Sequence, residues 1–260
     1  MLWQLVVGLV AFLTPSGVEK QDEEPFVPYG PQNPRSLRLA HEALHGDKVN
    51  GDMLFTDDFP ADAGIKDTRF RWPGYPGRGE IPYVIDPALN SMKPLILQAM
   101  DQYHKLTCLK FVPRTNQRDY IKLVSLNGCY SYVGRRGGEQ PVSLGSGCGY
   151  IGTIVHELGH AIGLFHEHQR SDRNTYITVY GTNVQSGKGK NFDLTNPSAE
   201  IISTGYDYSS IMHYGTYAFS KQPGVLKTME AKNGQPLLEP FQKPGFTNSD
   251  ITMIKSLYKC

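Results

Sequence analysis

The chain has 260 residues, 39% of them hydrophobic, with 26 basic and 25 acidic side chains for a net charge of +1. That length allows one or two domains with a sizeable core. Basic residues fall in short groups such as Arg135-Arg136 without interleaved aromatics, which argues against a nucleic-acid surface and a nucleic-acid partner.

Taken in chain order, Leu2 to Leu13 is an apolar run followed by Thr14-Pro15-Ser16-Gly17, the form of a signal-peptide core with small residues near its cut. Residues 1–17 are therefore expected to direct secretion. At about 1.5 Å per residue the run is too short to cross a bilayer of about 30 Å, and no membrane span is expected elsewhere. Residues 18–66 carry a net charge of −5 and the rest of the chain +6. This Pro- and Asp-rich stretch holds one short helical pattern around Ser36 to Leu44, with Leu37, Leu39, Ala40 and Leu44 as its apolar stripe. It reads as a propeptide whose charge complements the domain that follows. Within it, Gly51-Asp52 has the local form of a turn.

Residues 67–260 read as one catalytic domain. Short β-rich runs occur at Ile81 to Ile85, Leu109 to Val112, Tyr120 to Ser125 and Tyr130 to Val133. Ser91 to Leu106 has helical spacing with Pro94 in its first turn, and Pro141 to Ser146 is an extended run ending at glycines. A last helix starts near Thr247, where Asp250 completes a capping pattern, and reaches Tyr258.

The run His156-Glu157-Leu158-Gly159-His160-Ala161-Ile162-Gly163-Leu164-Phe165-His166 carries the chemistry. Positions i and i+4 share one helix face, so His156 and His160 can each present a ring nitrogen to one ion. Glu157 lies about 100° round the helix, placed to hold a water as a base. His166 reaches the same ion only if the chain turns back, and Gly163 supplies the left-handed residue that ends the helix. Three nitrogens leave a coordination position open, the mark of a catalytic zinc site. With 8 His and 11 Glu in the chain, a bare His-Glu-x-x-His arises by chance in about one shuffled sequence in a hundred, and Gly163 and His166 lower that further. Downstream, Met212 offers a flexible thioether that can floor such a site. Cys108, Cys129, Cys148 and Cys260 form an even set suited to an oxidising compartment, with three possible pairings.

The zinc run resembles the metzincin signature, and its continuation through Glu167, Arg170, Asp172 and Arg173 resembles the astacin family of zinc metalloendopeptidases, with Asn174 departing from the usual Asp. Ser210-Ile211-Met212-His213-Tyr214 resembles that family's Met-turn. The resemblance implies an α+β fold: a two-lobed metzincin domain with a mixed twisted sheet, a zinc-binding active-site helix, a Met-turn and a C-terminal helix. It implies one zinc per chain on His156, His160 and His166, with Tyr214 as a further ligand that swings to stabilise an oxyanion, and Glu157 as the catalytic base. It implies the pairings Cys108 with Cys260 and Cys129 with Cys148, which on the loop-entropy account contribute about 4 to 5 and about 3 kcal/mol. It also implies a secreted, monomeric zymogen in which Asp52 takes the water's place on zinc, although Val49 stands where a phenylalanine is expected. A trypsin-like protease would cut after Lys66, with Arg69 and Arg71 as competing sites, and the freed amino group would meet Glu167. Protein or peptide substrates would lie extended along an edge strand near residues 141–146. Two other classes remain: a zinc-binding module, which needs neither Glu157 nor Tyr214, and a thermolysin-like peptidase, for which His166 is unnecessary. Arg170 and Asp172 are expected to pair and brace the turn after His166. His168 and His213 are expected to be hydrogen-bonded or exposed, with His41, His45 and His104 in unrelated contexts.

Overall fold

The computed structural model describes residues 34–45, 51–55 and 66–260. The expected signal segment 1–17 and Val49 lie outside the described residues. The N-terminal part supplies a helix, α1 (Pro34–Leu44), and a two-residue strand, β1 (Met53–Leu54). Ala40, Ala43 and Leu44 of α1 are buried, with Leu37 packed beside them. Leu39, expected in the apolar stripe, is instead 43% exposed, because the buried face runs through positions 40, 43 and 44 and leaves 39 to its side.

The main body of the chain begins with β2 (Gly79–Ile85), α2 (Lys93–Leu106), β3 (Leu109–Pro113) and β4 (Tyr120–Val124). Pro94 sits in the first turn of α2, where its missing N–H costs nothing. Leu95, Ile96, Ala99, Met100 and Tyr103 form its buried face at helical spacing, and each large one contributes about 1.5 to 3 kcal/mol of apolar burial. A hairpin of β5 (Cys129–Tyr132) and β6 (Glu139–Leu144) leads into α3 (Ile151–Ala161). All eleven residues of α3 are buried, so this helix is the central beam of the domain. Beyond it come β7 (Ile177–Val179), its antiparallel partner β8 (Met229–Ala231) and α4 (Asn248–Tyr258), whose start is the capping box between Thr247 and Asp250 expected from the sequence.

The main sheet has the order β1-β5-β6-β4-β2-β3. All its pairs are parallel except β5 with β6. This order corrects one expectation. The run at residues 141–146 is no edge: β6 is hydrogen-bonded to β4 on one side and to β5 on the other. The reason is the hairpin, which folds β5 back outside β6, and the Cys129–Cys148 disulfide, which ties β5 to the entry of α3. The edge of the catalytic sheet is therefore β5, and β1 lies along it. Cys108 and Cys260 are joined as well, fastening the end of α4 beside β3. No helix among the described residues is long and apolar enough to cross a membrane.

Candidate metal centre and its closing segment

Elements from both lobes aim three imidazoles at one point. His156 and His160 are a helical turn apart on α3. The helix stops because Gly163 adopts a φ of 109° and donates its N–H to the His160 carbonyl, 2.8 Å away. Its remaining C-terminal carbonyls are capped from outside: Trp72 Nε1 donates to Ala161 O at 2.7 Å and Tyr258 Oη to Ile162 O at 3.0 Å. The chain then returns to deliver His166.

The Nδ1 atom of each ring faces an acceptor. His156 Nδ1 donates to Ile211 O at 2.8 Å, His160 Nδ1 to Leu164 O at 2.8 Å and His166 Nδ1 to Gln169 Oε1 at 3.0 Å. These bonds select the tautomer whose Nε2 carries a lone pair. The three Nε2 atoms converge on Asp52 from the N-terminal segment: Oδ2 lies 2.9 Å from His156, and Oδ1 lies 3.0 Å from His166 and 3.4 Å from His160. Burial holds His156 down to about 4 and lowers His166 as well, so near neutral pH those two rings are uncharged. Lone pairs then face carboxylate oxygens in a fully buried site, and among the described residues neither Asp52 Oδ1 nor His166 Nε2 has a hydrogen-bond partner. Such a donor set is stable only around a cation. Three imidazole nitrogens and one carboxylate fit zinc, tetrahedral and N/O-ligated.

The surroundings match the same chemistry. A Cβ on Gly159, between the two helix histidines, would stand 2.8 Å from Met212 Sδ, so the thioether packs against the helix at the turn that carries both rings, and a larger residue there would have to displace it. Tyr214 is fully buried, its ring 4.3 Å from that of His166 and stacked at 5.7 Å on His156. Its hydroxyl lies beside Asp52, and burial first, then the charge of that carboxylate and its hydrogen bond, pushes the Tyr214 pKa well up. Glu157 is buried with both carboxylate oxygens unpartnered, and burial followed by the Asp52 charge raises its pKa well above the ordinary range. A carboxyl with that tuning can both accept and return a proton.

The closing segment uses main-chain bonds too. Asp52 O accepts from Ser131 N at 2.9 Å and Leu54 O from Val133 N at 3.2 Å, so β1 runs parallel along β5. Gly51, with a φ of 65°, brings the backbone close to Tyr214. Among the described residues Glu167 meets a guanidinium and a backbone N–H. It accepts from Arg170 Nη1 at 2.8 Å and from Asp207 N at 2.9 Å, and burial pushes its pKa up to about 7. Arg170 also grips Asp172 at 2.9 Å, the brace expected from the sequence.

Several residues escaped sequence reasoning. Gln169, which orients His166, lies three residues along a single tight turn, a spacing that carries no signal until the turn is known. His168 and His213 are buried and hydrogen-bonded, to Asn191 O at 3.1 Å and to Tyr206 Oη at 2.8 Å. His45 is not in an unrelated context: its ring packs edge-on against Tyr214 at 4.7 Å. His41 and His45 reach the domain because α1 docks there. Their separation of four residues was the available sign.

The profile of the Astacin peptidase family matches residues 65–259. Astacin-like metalloprotease toxin 1 of Loxosceles intermedia is 42% identical over 217 residues, which cover 82% of this chain and 81% of the toxin. Zinc metalloproteinase nas-4 of Caenorhabditis elegans is 43% identical over 200 residues, covering 75% of this chain and 61% of the relative. Among solved structures, high choriolytic enzyme 1, a hatching enzyme zinc-protease from the medaka fish Oryzias latipes, superposes with a TM-score of 0.65 at 36% identity, covering 80% of this chain and 98% of that one.

Proposed function

The chain belongs to the astacin family and is a zinc metalloendopeptidase, and we propose that it is secreted as a zymogen whose residues 18–66 block the site until a trypsin-like protease cuts after Lys66. The observation that carries the latency is the position of Asp52, whose two oxygens meet all three Nε2 atoms.

His156, His160 and His166 would hold the zinc, with Tyr214 beside them. When bound, zinc polarises the scissile carbonyl and makes water more acidic. Glu157 takes the water's proton as the new C–O bond forms and passes it to the departing amine nitrogen as the C–N bond breaks. The Tyr214 hydroxyl donates to the developing oxyanion, a contact made only as charge appears there. An extended substrate would add to the edge of β5, the strand that β1 now occupies. Asp52 and β1 together thus exclude both water and peptide.

The cut after Lys66 is supported by its exposure at the domain boundary, whereas Arg71 is 5% exposed with its Nε bonded to Leu257 O at 3.2 Å. The new amino group at Asp67 would then compete with Arg170 for Glu167. The test is hydrolysis of a generic protein by the uncleaved chain and by the chain trimmed at Lys66, each with and without a chelator. Activity in the trimmed form alone, abolished by the chelator, is expected; equal activity in both forms would refute the zymogen. Glu167→Gln, correctly trimmed, is expected to keep its zinc and lose at least about 10-fold in rate, read from metal content beside kinetics.

A further inference from the structure

A second donor set joins the N-terminal segment to the domain. His41 and His45 sit on one face of α1, with ring centroids 4.5 Å apart, much as His156 and His160 sit 4.7 Å apart on α3. Glu239 of the catalytic domain meets them: its Oε1 lies 3.1 Å from His45 Nε2 and 3.7 Å from His41 Nε2. Two donors held tetrahedrally by zinc stand about 3.3 Å apart, so these separations bracket the requirement. Glu239 and His45 are nearly fully buried, with side chains 7% and 3% exposed, and among the described residues neither carboxylate oxygen and neither His45 nitrogen makes a hydrogen bond of good geometry, although His45 and the Gly215 N–H lie close to the carboxylate. The same signature marks the catalytic centre, where His166 Nε2 and Asp52 Oδ1 stand 3.0 Å apart and unpartnered.

We propose that His41, His45 and Glu239 form a second zinc site, separate from the catalytic one, which clamps α1 to the catalytic domain. Two imidazoles and one carboxylate suit zinc, and the fourth position opens toward a cavity of about 1180 Å³ lined by Leu37, His41, His45, Tyr217, Leu237 and Glu239, which admits the ion and a water. His41 Nε2 faces Tyr217 O at 3.2 Å and exchanges that contact for the ion. Because the site exists only while α1 is docked, zinc binding and docking must strengthen each other by the same factor. That α1 leaves on activation rests on the zymogen reading above; the site itself does not.

The uncleaved chain, dialysed against micromolar free Zn²⁺ and analysed by elemental mass spectrometry, is expected to hold two ions. His41→Ala, His45→Ala and the domain trimmed at Lys66 and freed of its N-terminal segment should each hold one. His41 is only partly buried, so its replacement tests the site even if variants at Glu239 fail to fold. After cleavage, the segment should dissociate at least about 10-fold more slowly in micromolar than in nanomolar free zinc, and His41→Ala should abolish the difference. One ion in the uncleaved chain, two in the freed domain, or a zinc-independent release would overturn the proposal and leave a metal-free His45–Glu239 contact. An uncleaved chain that is active with two ions bound would uphold the site and refute the latency.

Discussion

Residues 66–164 are held mainly by ladders and helices, whereas residues 165–246 are held by scattered backbone turns and bridges reinforced by many side chains bonded to backbone. The first region contains β2 to β6, α2 and α3. The second has only β7 and β8 plus single helical turns, but buries its floor all the same. Lys243 Nζ donates to Ser210 O at 2.7 Å and His213 O at 2.6 Å, and burial lowers its pKa to about 8. Asp250, reaching in from α4, accepts from Ser210 Oγ at 2.6 Å and Ile211 N at 3.0 Å. Arg173 Nη1 donates to His168 O at 2.9 Å, and Thr228 Oγ1 to Ala218 O at 2.7 Å. The lesson is that irregular backbone can be buried when charged or hydroxyl side chains replace the missing main-chain partners. Each such side chain then matters more than any one rung of a ladder.

The contrast can be broken in four ways. The largest expected effect is on chemistry: Glu157→Ala, carried by the regular region, should lose about 10⁴-fold in peptidase rate while keeping its zinc by elemental analysis and its thermal midpoint. An active, zinc-loaded variant would remove Glu157 from the mechanism. Next, replacing Cys108 and Cys260 by alanine unties α4 from β3 across 152 residues. On the loop-entropy account denaturant unfolding should show a loss of about 5 kcal/mol. Third, Asp250→Ala strands two buried donors, at Ser210 and Ile211, and a part-buried one at Thr247, and should cost about 3 kcal/mol. A loss under about 1 kcal/mol would mean the irregular region does not depend on such anchors. The smallest effect lies in the regular region. His104 Nε2 accepts from Phe111 N at 2.9 Å, and burial holds its pKa below the ordinary value. The unfolded chain therefore takes up the proton first as pH falls, so this contribution is complete above about 6.5 and fades below it. His104→Ala should lower the unfolding midpoint slightly at pH 7.5 and progressively less toward pH 5.

Legibility followed the same division. The spacing of Leu95, Ile96, Ala99 and Tyr103, the capping pair Thr247 and Asp250 and the strand at Ile81 to Ile85 were readable because each signal lies within one element. Gly163 was readable for the same reason. The interior place of β6 was not, since strand order depends on where the hairpin folds and not on the strand's own residues. Nor was the pairing of Glu239 with α1, or of Gln169 with His166, because those partners are chosen by docking and by a turn that sequence periodicity does not encode.

The sequence by itself pointed to the chemistry: two imidazoles at helical spacing with a carboxylate beside them, a glycine to end the helix and a third imidazole after the turn make a donor set that suits a zinc ion with an open position. Only the tertiary structure decided which strand is left at the edge, that β1 pairs along it, and that His41 and His45 find Glu239. Those choices rest on contacts between segments far apart in the chain, whose free energy exists only once every partner is in place.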